Sequence, residues 1–152
     1  MYSYMKSIDL IDLIEKNPIK LNGVYNNEIL NVIQTECSEF QQKMYIAFSY
    51  CQFNFDNKND YIIEVSNIWK WLGFSTKSEV INILQENYIQ NKDYIIMYHK
   101  MNDNDIGESY LLNFNTFKSF CNITITEKTI EINTFFTLLK KVCDNQVTKN
   151  NI

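Results

Sequence analysis

Lys70, Ser75, Thr76, Lys77, Ser78 and Asn82 carry the clearest candidate chemistry in this chain. They cluster in Asn67-Ile-Trp-Lys-Trp-Leu-Gly-Phe-Ser-Thr-Lys-Ser-Glu79 and just beyond it. Lysine ammoniums and hydroxyls beside a helix start suit phosphate, because the first helical turn presents free N–H groups and a positive dipole end. Asn82, one turn further on, is of a type that reads an adenine edge when a helix enters the major groove. The competing reading is a capped, solvated helix start with no ligand.

Those residues need a scaffold of two helices and a turn. Ser66 is expected to cap a short first helix. Gly73 stops it, because glycine tolerates the left-handed conformation common at helix ends. Thr76 and Glu79 have T-x-x-E capping-box spacing and open a second helix running to Glu86, with Val80, Ile81 and Leu84 inward. Helix pairs of this kind enter DNA grooves, and also occur in cores that never touch DNA. Trp69 and Trp71, two apart, cannot share a helix face, so one is expected in the core and the other partly exposed.

The chain has 152 residues, enough for one domain that buries ~70% of its unfolded surface. Its composition, 45% hydrophobic with ten Tyr and ten Phe, is that of a folded protein rather than a disordered one. With only three Gly and one Pro, helices with a little sheet are expected rather than a turn-dense sandwich. The net charge of −4 and the absence of arginine count against a dedicated nucleic-acid binder, so any DNA contact needs a local patch, a dimer or a neighbouring domain. Abundant Asn, Ile, Lys and Tyr also fit an A/T-rich genome.

Cys37, Cys51, Cys121 and Cys143 lack C-x-x-C spacing, and His99 is the sole histidine, so no zinc site is expected. Cys51 and Cys121 read as buried apolar residues, in keeping with a reducing compartment. His99 reads as a surface residue. No nucleophile with an orienting partner, phosphate loop or metal cluster is identifiable, so no catalytic residue, cofactor or metal is assigned. No run approaches a membrane span or signal peptide, and the expectation is an intracellular protein.

The remaining elements follow from periodicity. Ile8 to Lys16 reads as a helix capped by Ser7 and broken at Asn17-Pro18; Asn22-Gly23 marks a turn, and Asn26 to Gln34 a second helix. Phe40, Met44, Ala47, Phe48 and Cys51 form the clearest helical stripe and predict a core helix from Ser38 to Phe53. Tyr61 to Val65, Tyr94 to Tyr98 and Ser109 to Asn113 read as strands, the last two forming a wing-like hairpin whose tip, Asp103 to Glu108, is acidic and solvated. Asn91-Lys-Asp93 is a turn. Asn115 is expected to cap a helix from Thr116 to Cys121. Thr126 opens a last helix with Ile132, Phe135, Phe136, Leu139 and Val142 inward, and Lys118, Lys128, Lys140 and Lys141 on solvated faces. The fold class is α+β: a mainly helical single domain over 1–143 (core 8–143), with a small antiparallel sheet or hairpin, a helix-turn-helix-like unit and a polar, fraying tail over 144–152.

Two segments, I-W-K-W-L-G-F-S at Ile68 to Ser75 and L-L-N-F-N-T-F-K-S-F-C at Leu111 to Cys121, resemble the entomopoxvirus MSV-type N-terminal domain of large DNA viruses. That domain is similar to KilA-N/Bro-N and phage antirepressor domains. L-I-E-K-N-P-I at Leu13 to Ile19 and the pattern around Phe40 to Ala47 extend the resemblance from Leu13 to Lys141. It implies a viral protein in the host cytoplasm or viral factory, or in the nucleus, a small α+β domain and contact with DNA, and supplies no catalytic residues. This chain departs from the family in having few basic residues: Lys77 follows G-F-S, but Thr76, Ile81 and Asn82 are uncharged. The leading expectation is a regulatory, non-enzymatic module contacting double-stranded DNA through its backbone. The alternative is a viral module that kept the fold, lost DNA affinity and binds a viral or host protein. The sequence leaves the oligomeric state open.

Overall fold

A computed structural model describes the backbone over residues 8–15 and 27–150, and side chains over 8–15 and 31–141. The expectations for Asn17-Pro18 and Asn22-Gly23, and for the side chains of Val142 and Cys143, fall outside those residues. The helix expected from Ile8 begins instead at Leu10, because Ile8 N donates to Ile62 O at 2.8 Å and Asp9 Oδ1 is the cap, accepting from Asp12 N at 3.1 Å.

The elements in order are α1 (Leu10–Glu15), α2 (Asn27–Glu36), α3 (Glu39–Asn54), β1 (Tyr61–Glu64), α4 (Val65–Ile68), α5 (Lys77–Asn87), β2 (Tyr94–Lys100), β3 (Ile106–Asn113), α6 (Phe114–Ile123) and α7 (Glu127–Asn150). The α+β class is as expected: helices around one small antiparallel sheet of order β1-β3-β2. Tyr94 to Lys100 pair with Leu112 back to Ile106, and β1 pairs with the other side of β3, with an irregularity between Tyr61 and Ile63.

Local capping defines most helix starts. Ser38 and Gln41 form a capping box at α3, and Thr76 with Glu79 another at α5. Two expected caps are corrected. Ser66 lies inside α4, whose N-cap is Glu64 with no side-chain cap bond. Asn115 lies inside α6, and Asn113 is the cap, its Oδ1 accepting from Thr116 N at 2.7 Å. The helix therefore begins two residues earlier, directly off β3. The backbone of α7 stays helical through Asn150, across most of the segment expected to fray.

The core is aromatic. Phe48 of α3 meets Phe114, Phe117, Phe135 and Phe136 of α6 and α7 at centroid separations of 4.9–6.2 Å. Each such buried ring is worth about 1.5–3 kcal/mol. The expected stripe on α3 is present, with Met44, Ala47, Phe48 and Cys51 buried, but Tyr45, Ile46 and Ser49 are buried too. With α1, α2 and the aromatic cluster around it, α3 is wrapped rather than packed on one face. Val80 and Leu84 of α5 and Ile132 and Phe135 of α7 are buried as their spacing predicts.

After α4 the chain keeps turning. Leu72 N donates to Ile68 O at 2.8 Å, Gly73 N to Lys70 O at 3.0 Å and Phe74 N to Trp69 O at 3.1 Å. The last two bonds, with Gly73 at φ +95°, make a Schellman stop. Beyond it, Thr126 Oγ1 donates to Leu72 O, and its Cβ lies 3.3 Å from where a Cβ on Gly73 would sit. Gly73→Ala forces a left-handed alanine against that methine and should lower stability by about 1–3 kcal/mol. The measurement is the shift in urea midpoint.

Cys37, Cys51 and Cys121 are free and buried. Burial pushes the Cys51 thiol from the usual 9.0 up to about 12 and raises Cys121 as well. The folded state thus resists ionisation that the unfolded chain permits. Stability contributed by Cys51 is intact below pH 9.0 and is lost as pH rises from there through about 12. Cys51→Ala should flatten the alkaline fall in urea midpoint relative to the parent chain.

Candidate functional site

The helix pair is positioned by two contacts made far along the chain. One is the Thr126 hydroxyl on the Leu72 carbonyl. The other is a stack: Phe40 at the start of α3 lies 6.2 Å from Trp71, and the Lys128 ammonium sits 4.2 Å from the Phe40 centroid and 5.1 Å from Trp71. The turn is thereby pinned to α3 and α7 together. Lys128, expected on a solvated face, is half-buried in this stack, and Lys118 likewise lies 5.2 Å above the Phe136 ring. Apolar stems cover rings while the cation meets the negative π-face. Both tryptophans are half-buried, not one in and one out.

Of the sequence candidates, Lys70, Ser75, Thr76, Ser78 and Asn82 are exposed and Lys77 is half-buried. Ser78 and Asn82 stand four apart on one face of α5. The free amides expected there are only partly available. Glu79 Oε1 accepts from Ser75 N at 3.2 Å and Thr76 N at 3.1 Å, while Thr76 Oγ1 accepts from Glu79 N at 3.3 Å. A carboxylate of the chain itself thus stands beside the helix start, on the two amides that precede the first turn. Along α5 one lysine, Lys77, stands against Glu79 and Glu86.

The neighbouring surface sets exposed isoleucines among polar and charged groups, which the sequence analysis missed. A hollow of about 370 Å³ lies between α5 and the α6–α7 turn, lined by Phe74, Ile83, Ile123 and Ile125 with Ser75, Glu79 and Asn87. A second, of about 640 Å³, lies across Gly73 and Thr126, lined by Trp71, Ile125, Glu127, Lys128 and Glu131. Ile125 stands between them, 86% exposed, and Ile123 and Ile130 are exposed nearby. The readable signal was Ile123-Thr-Ile-Thr126, two isoleucines belonging to no helical stripe.

A polar cleft of about 540 Å³ at the start of α6 is a structural knot. Tyr61 Oη donates to Lys92 O at 2.8 Å, Asn113 Nδ2 to Lys58 O at 3.0 Å, and Tyr88 Oη and Ser119 Oγ are 2.8 Å apart. These bonds join the hairpin base to β1 and α6. His99 is exposed on β2. Among the described residues no cluster of three His, Cys, Asp or Glu could hold a metal ion, and no helix is long and apolar enough to cross a membrane.

Lys128→Met keeps the stem and removes the charge from the stack. It should cost about 0.5–2 kcal/mol in urea unfolding and shift the emission of Trp71. A solvated Lys128 would give neither change.

No family model matches the chain, and neither a curated protein nor a solved structure matches it.

Proposed function

We propose that this chain is a non-enzymatic protein-interaction module on a helix-turn-helix-like scaffold. Its surface between α5 and the α6–α7 turn would take a partner segment with apolar side chains flanked by Lys or Arg. The observation that carries this reading is the exposed Ile125, standing between two hollows and bordered by Glu79, Glu127 and Glu131. Clustered exposed apolar side chains of this kind mark contact surfaces. The carboxylates favour a basic partner and disfavour phosphate. Taken with the resemblance to viral MSV-type domains, the setting proposed is the interior of an infected cell.

Contact with double-stranded DNA is the second reading. It is supported by the exposure of Lys70, Ser75, Thr76, Ser78 and Asn82 along one helix start. Against it stand the Glu79 carboxylate on the Ser75 and Thr76 amides and the lysine-poor surface of α5.

Two titrations separate the readings. Under the first, peptides selected on the folded protein converge on apolar segments flanked by Lys or Arg, and Ile125→Asp weakens them by about tenfold. Under the second, A/T-rich duplex binds with a log–log salt slope of about −0.9 per neutralised phosphate, and joint substitution of Lys70 and Lys77 by Ala abolishes it. That second outcome, with Ile125→Asp silent, overturns the interaction reading.

A further inference from the structure

The order β1-β3-β2 leaves β2 at a sheet edge. It is a seven-residue strand, Tyr94-Ile-Ile-Met-Tyr-His-Lys100, without proline and with a lysine only at its end. Edges are commonly blunted by brevity, charge, proline or a covering element. Among the described elements, β2 packs chiefly on β3.

The direction of its backbone groups follows from its two ends. The Tyr94 carbonyl accepts from Asn91 N in the preceding turn at 2.6 Å, so it faces away from β3. Met101 N donates to Asp105 O across the hairpin at 2.9 Å, so it faces inward. In an antiparallel ladder these orientations alternate. Ile95, Met97 and His99 therefore bond to β3, while Ile96, Tyr98 and Lys100 turn their N–H and C=O outward. Among the described residues, none of these outward groups has a backbone partner beyond the sheet. The side chains at the edge are apolar as well: Tyr98 is 62% exposed, Ile106 on the paired strand 73%, and Met97 and Met101 are exposed.

We propose that β2 pairs antiparallel with β2 of a second copy of this chain, about a two-fold axis at Met97, joining the two sheets into one. In this register Ile96 lies opposite Tyr98 of the second copy, and Tyr98 opposite its Ile96. Each pair exchanges two backbone hydrogen bonds, satisfying the outward groups of both residues. Aromatic on β-branched is a favourable cross-strand pair. Met97 meets its own image and Ile95 faces His99; the pairing ends there, because the bridge between Gln90 and Tyr94 already covers the outer edge of Tyr94. The two Lys100 side chains end up about 20 Å apart at 3.4 Å per residue, beyond the Debye length of about 8–10 Å in ordinary buffers. The strand is therefore complementary to itself with no like charges opposed, which selects a second copy over an unrelated strand. This interface is separate from Ile125 and stands or falls independently of the function proposed above.

Sedimentation equilibrium over a concentration series tests it. The parent chain is expected to show a reversible monomer–dimer equilibrium. Tyr98→Pro removes an outward N–H and is tolerated on an edge. Met97→Lys places two ammoniums at the two-fold axis. Each should raise the dimer dissociation constant by about tenfold or more, with circular dichroism unchanged, whereas Ile125→Asp should not. Hydrogen exchange on the parent chain provides a readout that needs no variant. Protection of the Ile96 and Tyr98 amides should rise with concentration, while that of Met97 stays constant. A chain that remains monomeric, a dimer indifferent to both variants, or exchange at those two amides independent of concentration overturns the proposal.

Discussion

The hydrogen bond from the Thr126 hydroxyl to the Leu72 carbonyl holds the candidate surface together. Leu72 ends the turn that follows α4, where carbonyls have run out of intrahelical partners. Thr126 stands at the start of α7, where it also caps the Thr129 N–H at 3.0 Å. One side chain thus serves the end of one helix and the start of another, 54 residues apart. The close approach requires a residue without Cβ at position 73 and a left-handed backbone there. That contact, with the stack of Phe40, Trp71 and Lys128, pins the turn before α5 against α3 and α7.

The same economy of local satisfaction shapes the electrostatics. A helix start attracts anions because its amides lack partners and its dipole is positive. At α5 the attraction is met from within, by Glu79. The helix gains stability from this, a cap of this kind being worth about 1 kcal/mol, and the site loses amides that a phosphate would need. Lys128 and Lys118 are similarly drawn onto aromatic rings. Two of the fourteen lysines thus serve the chain's own packing, and beside the turn Ile125 stands exposed among Glu79, Glu127 and Glu131.

The hairpin shows how pairing overrides composition. Gly107 and Glu108 look like parts of a polar tip, yet β3 begins at Ile106 and the connection is only 101–105. Gly107 sits opposite His99, where a Cβ would fall 2.5 Å from the imidazole Nε2 and 2.9 Å from the Met101 sulfur. The glycine admits two side chains that lie across the strand, so it belongs to the ladder rather than the turn. Asn102 supplies the turn chemistry, its Oδ1 accepting from Asn104 N and Asp105 N.

Much of the fold was legible because it depends on neighbours in sequence. The capping box at Thr76 and Glu79, the stop at Gly73, the stripes on α5 and α7 and the strand segments are all set by spacings of two to four residues. The caps at Ser66 and Asn115 were misassigned because several capping residues lie close together there, and strand ends rather than side-chain type decide where each helix begins. Of the candidate residues at 70–82, Lys70, Ser75, Thr76, Ser78 and Asn82 reach solvent and Lys77 is half-buried. What the sequence could not reveal was which side chains from elsewhere would come to meet them. Thr126 on Leu72, Lys128 over Phe40 and Trp71, and Ile125 between two hollows are contacts between residues some 50 or more positions apart or at an element junction. No periodicity encodes them, because tertiary packing alone brings those atoms within reach.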